Sequence, residues 1–301
     1  MTTTTEPMAE MTVRQKKERE RKLKVDLGKV GINLALIAAA LYFLVPIVWV
    51  LIAATKSPGQ LFSTNGFLLA ENPQLGGNLG RLFSQDKGVF SMWIVNSLIY
   101  SGIGAAGATI LSVACGYAIA KYDFFGKEKF FSLILGGVMV PATVIALPLY
   151  FLLNTVNLTG SYWSILLPSM VSPFGVYLAR IHSAAIPDSI LEAARIDGAK
   201  ELRIFGTMAV RMMIPAVVTI FLFQFVNIWN NYLLPLVMLN DPKTFPITLG
   251  LTLWNSQTQR DPFFYTLVVT GSAISSMFLV AVMIGLQRFW RAGMTAGAVK
   301  E

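Results

Sequence analysis

The sequence predicts an all-α integral membrane protein: six transmembrane helices, with the N- and C-termini both cytoplasmic. Three observations carry that expectation. Of 301 residues, 54% are apolar and only 13% charged, against about 45–50% and about 25% in a soluble domain. The apolar residues fall into charge-free stretches long enough to cross a bilayer, and the basic residues gather in alternate connections. Such a composition excludes a soluble enzyme, a secreted disulfide scaffold and a disordered chain.

Residues 1–29 read as a cytoplasmic basic tail. They hold eight of the 24 basic residues, from Arg14 to Lys29. Next to a long apolar run, this charge suits anionic lipid better than nucleic acid. The first span, 30–54, is far longer than the roughly 7–15 residues of a signal-peptide core, so it is expected to stay in the membrane. The second covers 92–120. From Phe130 to Ala179 there are 50 residues without a charge, more than one helix can use in about 30 Å of hydrocarbon. The polar interruption at 154–161 divides them into spans 130–153 and 162–180. A fifth runs over 212–239 and a sixth over 263–287. Together they form one transmembrane domain, 30–290, followed by a cytoplasmic tail, 291–301. The N-terminal tail, the residues after span six, the 121–129 connection and the 181–211 loop with its flanking Arg180 hold 19 basic residues, and the opposite connections hold five. That asymmetry places both termini inside. Prolines 46, 141, 148, 168, 173, 215 and 235 lie in or beside spans, which suits helices that bend around a cavity.

Several chemical readings fail. Gly102-Ile103-Gly104-Ala105-Ala106-Gly107 matches a dinucleotide fingerprint, but it lies inside a span and not in a strand–turn–helix setting. Close helix packing through Gly104 and Ala108 is the expected role. No phosphate-binding P-loop occurs, so ATP hydrolysis is not expected of this chain. Cys115 and His182 are each the single residue of their kind, so no thiol or histidine metal site and no cofactor is expected.

The 181–211 connection is more informative. Pro187 and Asp188 resemble a helix start, Glu192, Ala193 and Ala194 propagate it, and Gly198 ends it. Five basic and four acidic residues interleave over 180–211, a mixture that suits a protein partner better than lipid. Residues 192–199, Glu-Ala-Ala-Arg-Ile-Asp-Gly-Ala, resemble the EAA motif of permease subunits in type I ATP-binding-cassette importers. The stretches 96–101, 148–168, 224–236 and 293–300 are similar to the carbohydrate branch of that family, that of the smaller maltose-transporter permease. The resemblance covers residues 30 to 300. It implies that this helix is a coupling helix docking into an ATPase subunit, with Glu192 as polar contact, Ala193 and Ala194 allowing close approach, Asp197 beside them and Gly198 making the turn. One departure is Arg211, where the family usually has a proline; the next is Pro215.

In the fifth span, Gln224, Asn227 and Asn231 are spaced to share one helix face within about 60°, with Trp229, Asn230 and Tyr232 around them. Amides at membrane depth either bond neighbouring helices or line a polar pathway. The pathway reading assigns Gln224, Asn227, Trp229, Asn230 and Asn231 to sugar contact. The spans carry no acidic residue for ion coupling. The loop 240–262 is either a linker or, as the resemblance implies, a probe toward a solute-binding protein.

The function expected from the resemblance is a non-enzymatic permease subunit forming half of an alternating-access pathway for a di- or oligosaccharide. Its partners would be a second homologous permease, two ATPase subunits, an external sugar-binding protein and the bilayer of a bacterial or archaeal cytoplasmic membrane, with no nucleic acid. A secondary carrier is the main alternative, and a membrane-embedded enzyme a further one; paired carboxylates or a histidine cluster in the spans would have favoured the latter.

Overall fold

A computed structural model describes the backbone of residues 6–296 and the side chains of residues 28–287. Its described residues form helices, turns and loops and no strand. The first helix, α1 (Glu6–Ala53), runs 48 residues, so it continues well beyond the apolar part at 28–53. That apolar part is exposed along nearly its whole length within the chain, and α15 is its main neighbour. The 293–300 stretch of the resemblance lies largely outside the described residues.

Two short helices, α2 (Pro58–Ser63) and α3 (Leu75–Ser84), lead into α4 (Val89–Lys121). Asp86, Lys87 and Gly88 all adopt left-handed backbone angles at this corner. The strained corner is held from outside, since Trp254 donates its indole N–H to Asp86 Oδ2 at 3.1 Å. Nearby, buried Lys56 donates to the Asn65 carbonyl at 2.5 Å, while Asn78 donates to the carbonyls of Ala54 and Lys56, both at 2.9 Å. These bonds fasten the end of α1 to α3.

Helix α4 is the axis of the bundle. Its buried face includes Gly104 and Ala108, which were expected to allow close packing, together with Ala105 and Gly116. A Cβ on Gly116 would sit 2.5 Å from that of Ala179 and 2.7 Å from the Arg180 nitrogen. Only glycine lets α4 approach α8 (Pro173–Ala184) this closely.

The apolar stretches do not all become straight spans. Among the described residues, four segments are long and apolar enough to cross a membrane singly: 28–53, 75–121, 163–184 and 263–287. The count reaches six if each of two bent pairs is one span. In the first pair, α5 (Lys127–Met139) meets α6 (Ala142–Thr155) at 104°. Pro141 lacks an N–H and disfavours helix at Val140, so the break falls there. The expected single helix over 130–153 is therefore two. The fourth stretch breaks between α7 (Trp163–Ser169) and α8, where Ser172 caps α8 by accepting from the Gly175 N–H at 3.0 Å.

The 181–211 connection folds as α9 (Asp188–Ile196), α10 (Glu201–Ile204), a π-helical turn Phe205–Ala209 and α11 (Val210–Met212). An 80° bend leads into α12 (Ile214–Trp229). With Arg211 in place of a proline the helical run continues to Met212, and the bend falls just ahead of Pro215 in the first turn of α12. Helix α13 (Leu233–Met238) follows, then α14 (Ile247–Gln257) and α15 (Phe263–Ala296). The 240–262 segment is therefore not an open linker. Ile247, Leu249, Leu251 and Trp254 are buried, with Trp254 and Trp93 rings 4.5 Å apart.

Candidate functional site

Local sequence builds α9. Pro187, at the cap position, has no N–H to leave unpaired, and Asp188 puts a carboxylate in the first turn. At the other end Gly198 has φ +78. Its N–H bonds to the Arg195 carbonyl at 3.0 Å, and that of Ala199 to Ala194, also at 3.0 Å. This is a Schellman ending, which takes up two otherwise unpaired carbonyls. The start and stop expected from the sequence are both present.

Burial divides the motif. Glu192, Ala193, Asp197 and Gly198 are exposed, whereas Ala194 and Leu191 face inward. Ala194 packs in a cluster with Val113, Tyr117, Ala179 and Ile204. Its expected role in close approach of a partner is therefore corrected: its small side chain lets α9 sit tightly on this chain's own bundle.

Two links tie α9 and its flank to the end of α4. Lys121, whose side chain is 5% exposed, donates to the Ile186 carbonyl at 2.6 Å and to Asp188 Oδ1 at 2.7 Å. Tyr122 donates its hydroxyl to Glu201 Oε2 at 2.6 Å, and Arg195 Nε donates to Glu201 Oε1 at 2.7 Å. The hydrogen bonds from Arg195 and then Tyr122 hold the Glu201 carboxyl below its ordinary value. Burial, followed by the bond to Glu201, pushes the Tyr122 phenol up to about 12. Sequence reasoning counted Lys121, Arg195 and Glu201 only as loop charges. The available signal was a basic residue ending an apolar run, 65 and 67 residues ahead of its acceptors in the sequence.

The amides of the fifth stretch behave differently from one another. Gln224 donates from Nε2 to Ser172 Oγ on the α8 cap, so it joins helices. Asn227 is exposed on α12. Trp229 is 1% exposed, stacks on Phe278 with centroids 4.6 Å apart, and donates to Ser275 Oγ at 3.0 Å. It belongs to the core, which corrects its assignment to sugar contact. Helix α12 ends at Trp229, so Asn231 does not continue the Gln224–Asn227 face. Its Oδ1 instead accepts from the Leu234 N–H at 3.2 Å, and its carbonyl from Thr248 Oγ1 at 3.0 Å.

Asn230 lines a hollow of about 460 Å³ between the α12–α13 connection, α14 and α15, with Tyr232, Thr248, Thr252, Asn255 and Ser275 among the other wall residues. Periodicity missed this group because its members come from three separate segments. One face of α4 positions α14 beside it. Trp93 donates to the Pro242 carbonyl at 2.8 Å, Asn96 to those of Lys243 and Phe245 at 2.7 and 3.0 Å, and Tyr100 to Thr244 at 2.9 Å. The Ile247 N–H donates to Ser97 Oγ at 2.7 Å. The 96–101 stretch thus reads the backbone of the last loop.

Residues 108–295 match the family described as binding-protein-dependent transport system inner membrane component. The arabinooligosaccharides transport system permease protein AraQ of Halalkalibacterium halodurans is 32% identical over 252 residues, covering 83% of this chain and 89% of the relative. Its Bacillus subtilis counterpart is 30% identical over 274 residues, covering 90% and 96%. In fold, the chain is similar to a solved bacterial ABC transporter involved in the import of the acidic polysaccharide alginate. The TM-score is 0.74 at 23% identity, with 86% of this chain and 95% of that chain covered.

Proposed function

The chain belongs to the family of binding-protein-dependent transport system inner membrane components, and from that premise we propose how it works. It is a multi-pass membrane permease subunit of a sugar ABC importer, a transport component and not an enzyme. In the proposal, each bent pair is one span, giving six, with both termini on the cytoplasmic side of a bacterial cytoplasmic membrane. A second homologous permease completes the pathway, two ATPase subunits drive it, and an external binding protein delivers a di- or oligosaccharide.

The observation that carries the mechanism is the orientation of α9. It exposes Glu192 and Ala193 outward, while Lys121 bonds its first turn and Tyr122 holds its far end through Glu201 and Arg195. A protein that grips the outer face of α9 therefore moves α4 with it, and α4 packs along α8 and α12. ATPase closure becomes a rigid-body displacement of the spans, the kind of change that switches access from one side to the other. Glu192, Ala193, Asp197 and Gly198 form the docking face. Of the amides assigned to sugar contact, Asn230 and Asn227 remain on open surface, which supports a pathway role for these two.

Two experiments test the proposal. Affinity purification of the tagged chain from its native host should bring down an ATP-binding-cassette ATPase and support sugar-stimulated ATP hydrolysis in proteoliposomes; uptake by the chain alone would refute it. For orientation, Ser63→Cys and Gln259→Cys should react with an impermeant maleimide in intact cells, and Ser189→Cys only after permeabilisation. Reaction at position 189 in intact cells would overturn the topology.

A further inference from the structure

The hollow between the α12–α13 connection, α14 and α15 takes no part in the link between α9 and α4. Ser275 on its wall lies roughly 18 Å along α15 from Phe263 at about 1.5 Å per residue, well within a hydrocarbon layer of about 30 Å. Polar groups at that depth are costly unless they have partners. Some do: Thr252 donates to Thr248 at 2.8 Å, and Ser275 accepts from Trp229. The Asn255 carboxamide and the Tyr232 hydroxyl make no hydrogen bond within the described chain, although both line the space. An amide and a phenol each both donate and accept, which matches a ligand whose groups do the same.

The wall is also defined by its charge. None of its ten residues is ionisable except through the phenol of Tyr232. Leu251 and Val268 give it an apolar surface, suited to the C–H face of a pyranose or furanose ring. A volume of about 460 Å³ lies within the roughly 300–1,000 Å³ of small-molecule sites. A phosphate or carboxylate entering here would lose its hydration and meet no cation, a penalty that a neutral hydroxyl escapes. We propose that this hollow is a sugar-contact site supplied by this subunit, and that it passes uncharged carbohydrates while rejecting anionic ones. The inference rests on the sugar-importer reading above. It assigns this chain the opposite charge preference from the transporter of acidic alginate that shares its fold.

The test uses the assembled transporter, purified with its permease, ATPase and binding-protein partners and reconstituted in a Cys115→Ala background. Thr252→Cys and Asn255→Cys are labelled with N-ethylmaleimide during turnover, with lactose, an arabino-oligosaccharide or a guluronate oligosaccharide as probe. The expected result is uptake of a neutral probe, slowed labelling at both positions in its presence, and a KM raised roughly two- to tenfold in Asn255→Leu, the effect of one lost neutral hydrogen bond. Uptake of the guluronate probe alone would overturn the charge preference and leave the importer reading standing. Neutral-sugar uptake with unchanged labelling rates would overturn the contact site. So would complete protection before any sugar is added, which would make the hollow an interface with the second permease. Absence of any co-purified ATPase would instead bring down the importer reading itself.

Discussion

Asn96 joins α4 to the loop ahead of α14 and to Tyr162 ahead of α7, and Asn96→Leu tests how much that junction contributes. The residue is 2% exposed. Its amide donates to the carbonyls of Lys243 and Phe245, and its Oδ1 accepts from the Tyr162 hydroxyl at 2.6 Å. Leucine preserves the bulk and removes all three bonds. An ordinary interhelical side-chain bond in a membrane contributes only about 0.6 kcal/mol. Here the Phe245 carbonyl is left buried without a donor, at about 1–3 kcal/mol, and the Lys243 carbonyl is partly buried. The expected cost is therefore about 2–4 kcal/mol. Tyr162, more exposed than Asn96, should lose only about 1 kcal/mol as Tyr162→Phe. The double variant should cost less than the sum of the two by about 0.5–1 kcal/mol, since each partner is then absent rather than orphaned. The assay is the unfolding equilibrium in mixed detergent micelles, with amide exchange at Ile247 reporting the loop. A loss below about 0.5 kcal/mol for Asn96→Leu, or strict additivity, would refute the junction.

Three further outcomes are expected. Gly198→Val should impair coupling through backbone strain of about 1–2 kcal/mol, because open space surrounds the position and no clash contributes; Gly198→Asn, which tolerates the left-handed region, should restore much of the uptake, and equal defects in both would argue against the strain account. Lys121→Met should leave insertion intact while ATP hydrolysis continues with uptake reduced at least several-fold, measured as sugar moved per ATP in proteoliposomes; unchanged stoichiometry would remove Lys121 from the linkage. Because Arg195 and Tyr122 depress the Glu201 carboxyl, its contribution is present above the ordinary glutamate value of about 4.3 and is lost as pH falls through the lower folded value. Coupling should therefore stay constant from neutral pH down to about 5, with Glu201→Gln showing the loss already at neutral pH; a decline near pH 6 to 7 in the parent chain would contradict this.

The sequence by itself determined the properties that depend on neighbours along the chain. Charge-free runs of span length declare a bilayer protein because hydrophobic transfer scales with local apolar area. The ends of α9 were legible because Pro187 and Gly198 act through their own backbone angles and missing or unpaired N–H groups. The packing role expected of Gly104 was legible too, since small residues within a span let helices approach, and a Cβ there would meet Ile228 and Ser169. Tertiary structure alone decided the rest. Pro141 marks a break, but packing sets its 104° angle. The spacing of Gln224, Asn227 and Asn231 assumed a helix that stops at Trp229; there the chain turns to hand Thr248 the Asn231 carbonyl. Trp229 looks available to a ligand in sequence and is enclosed by Phe225 and Phe278, which lie four residues before it and on another helix. Lys121 and Asp188 are 67 residues apart, and the walls of the polar hollow come from two helices and the connection between two others. A hydroxyl in a span has no preferred partner until the fold chooses one, so its chemistry is fixed by what the other helices bring to it.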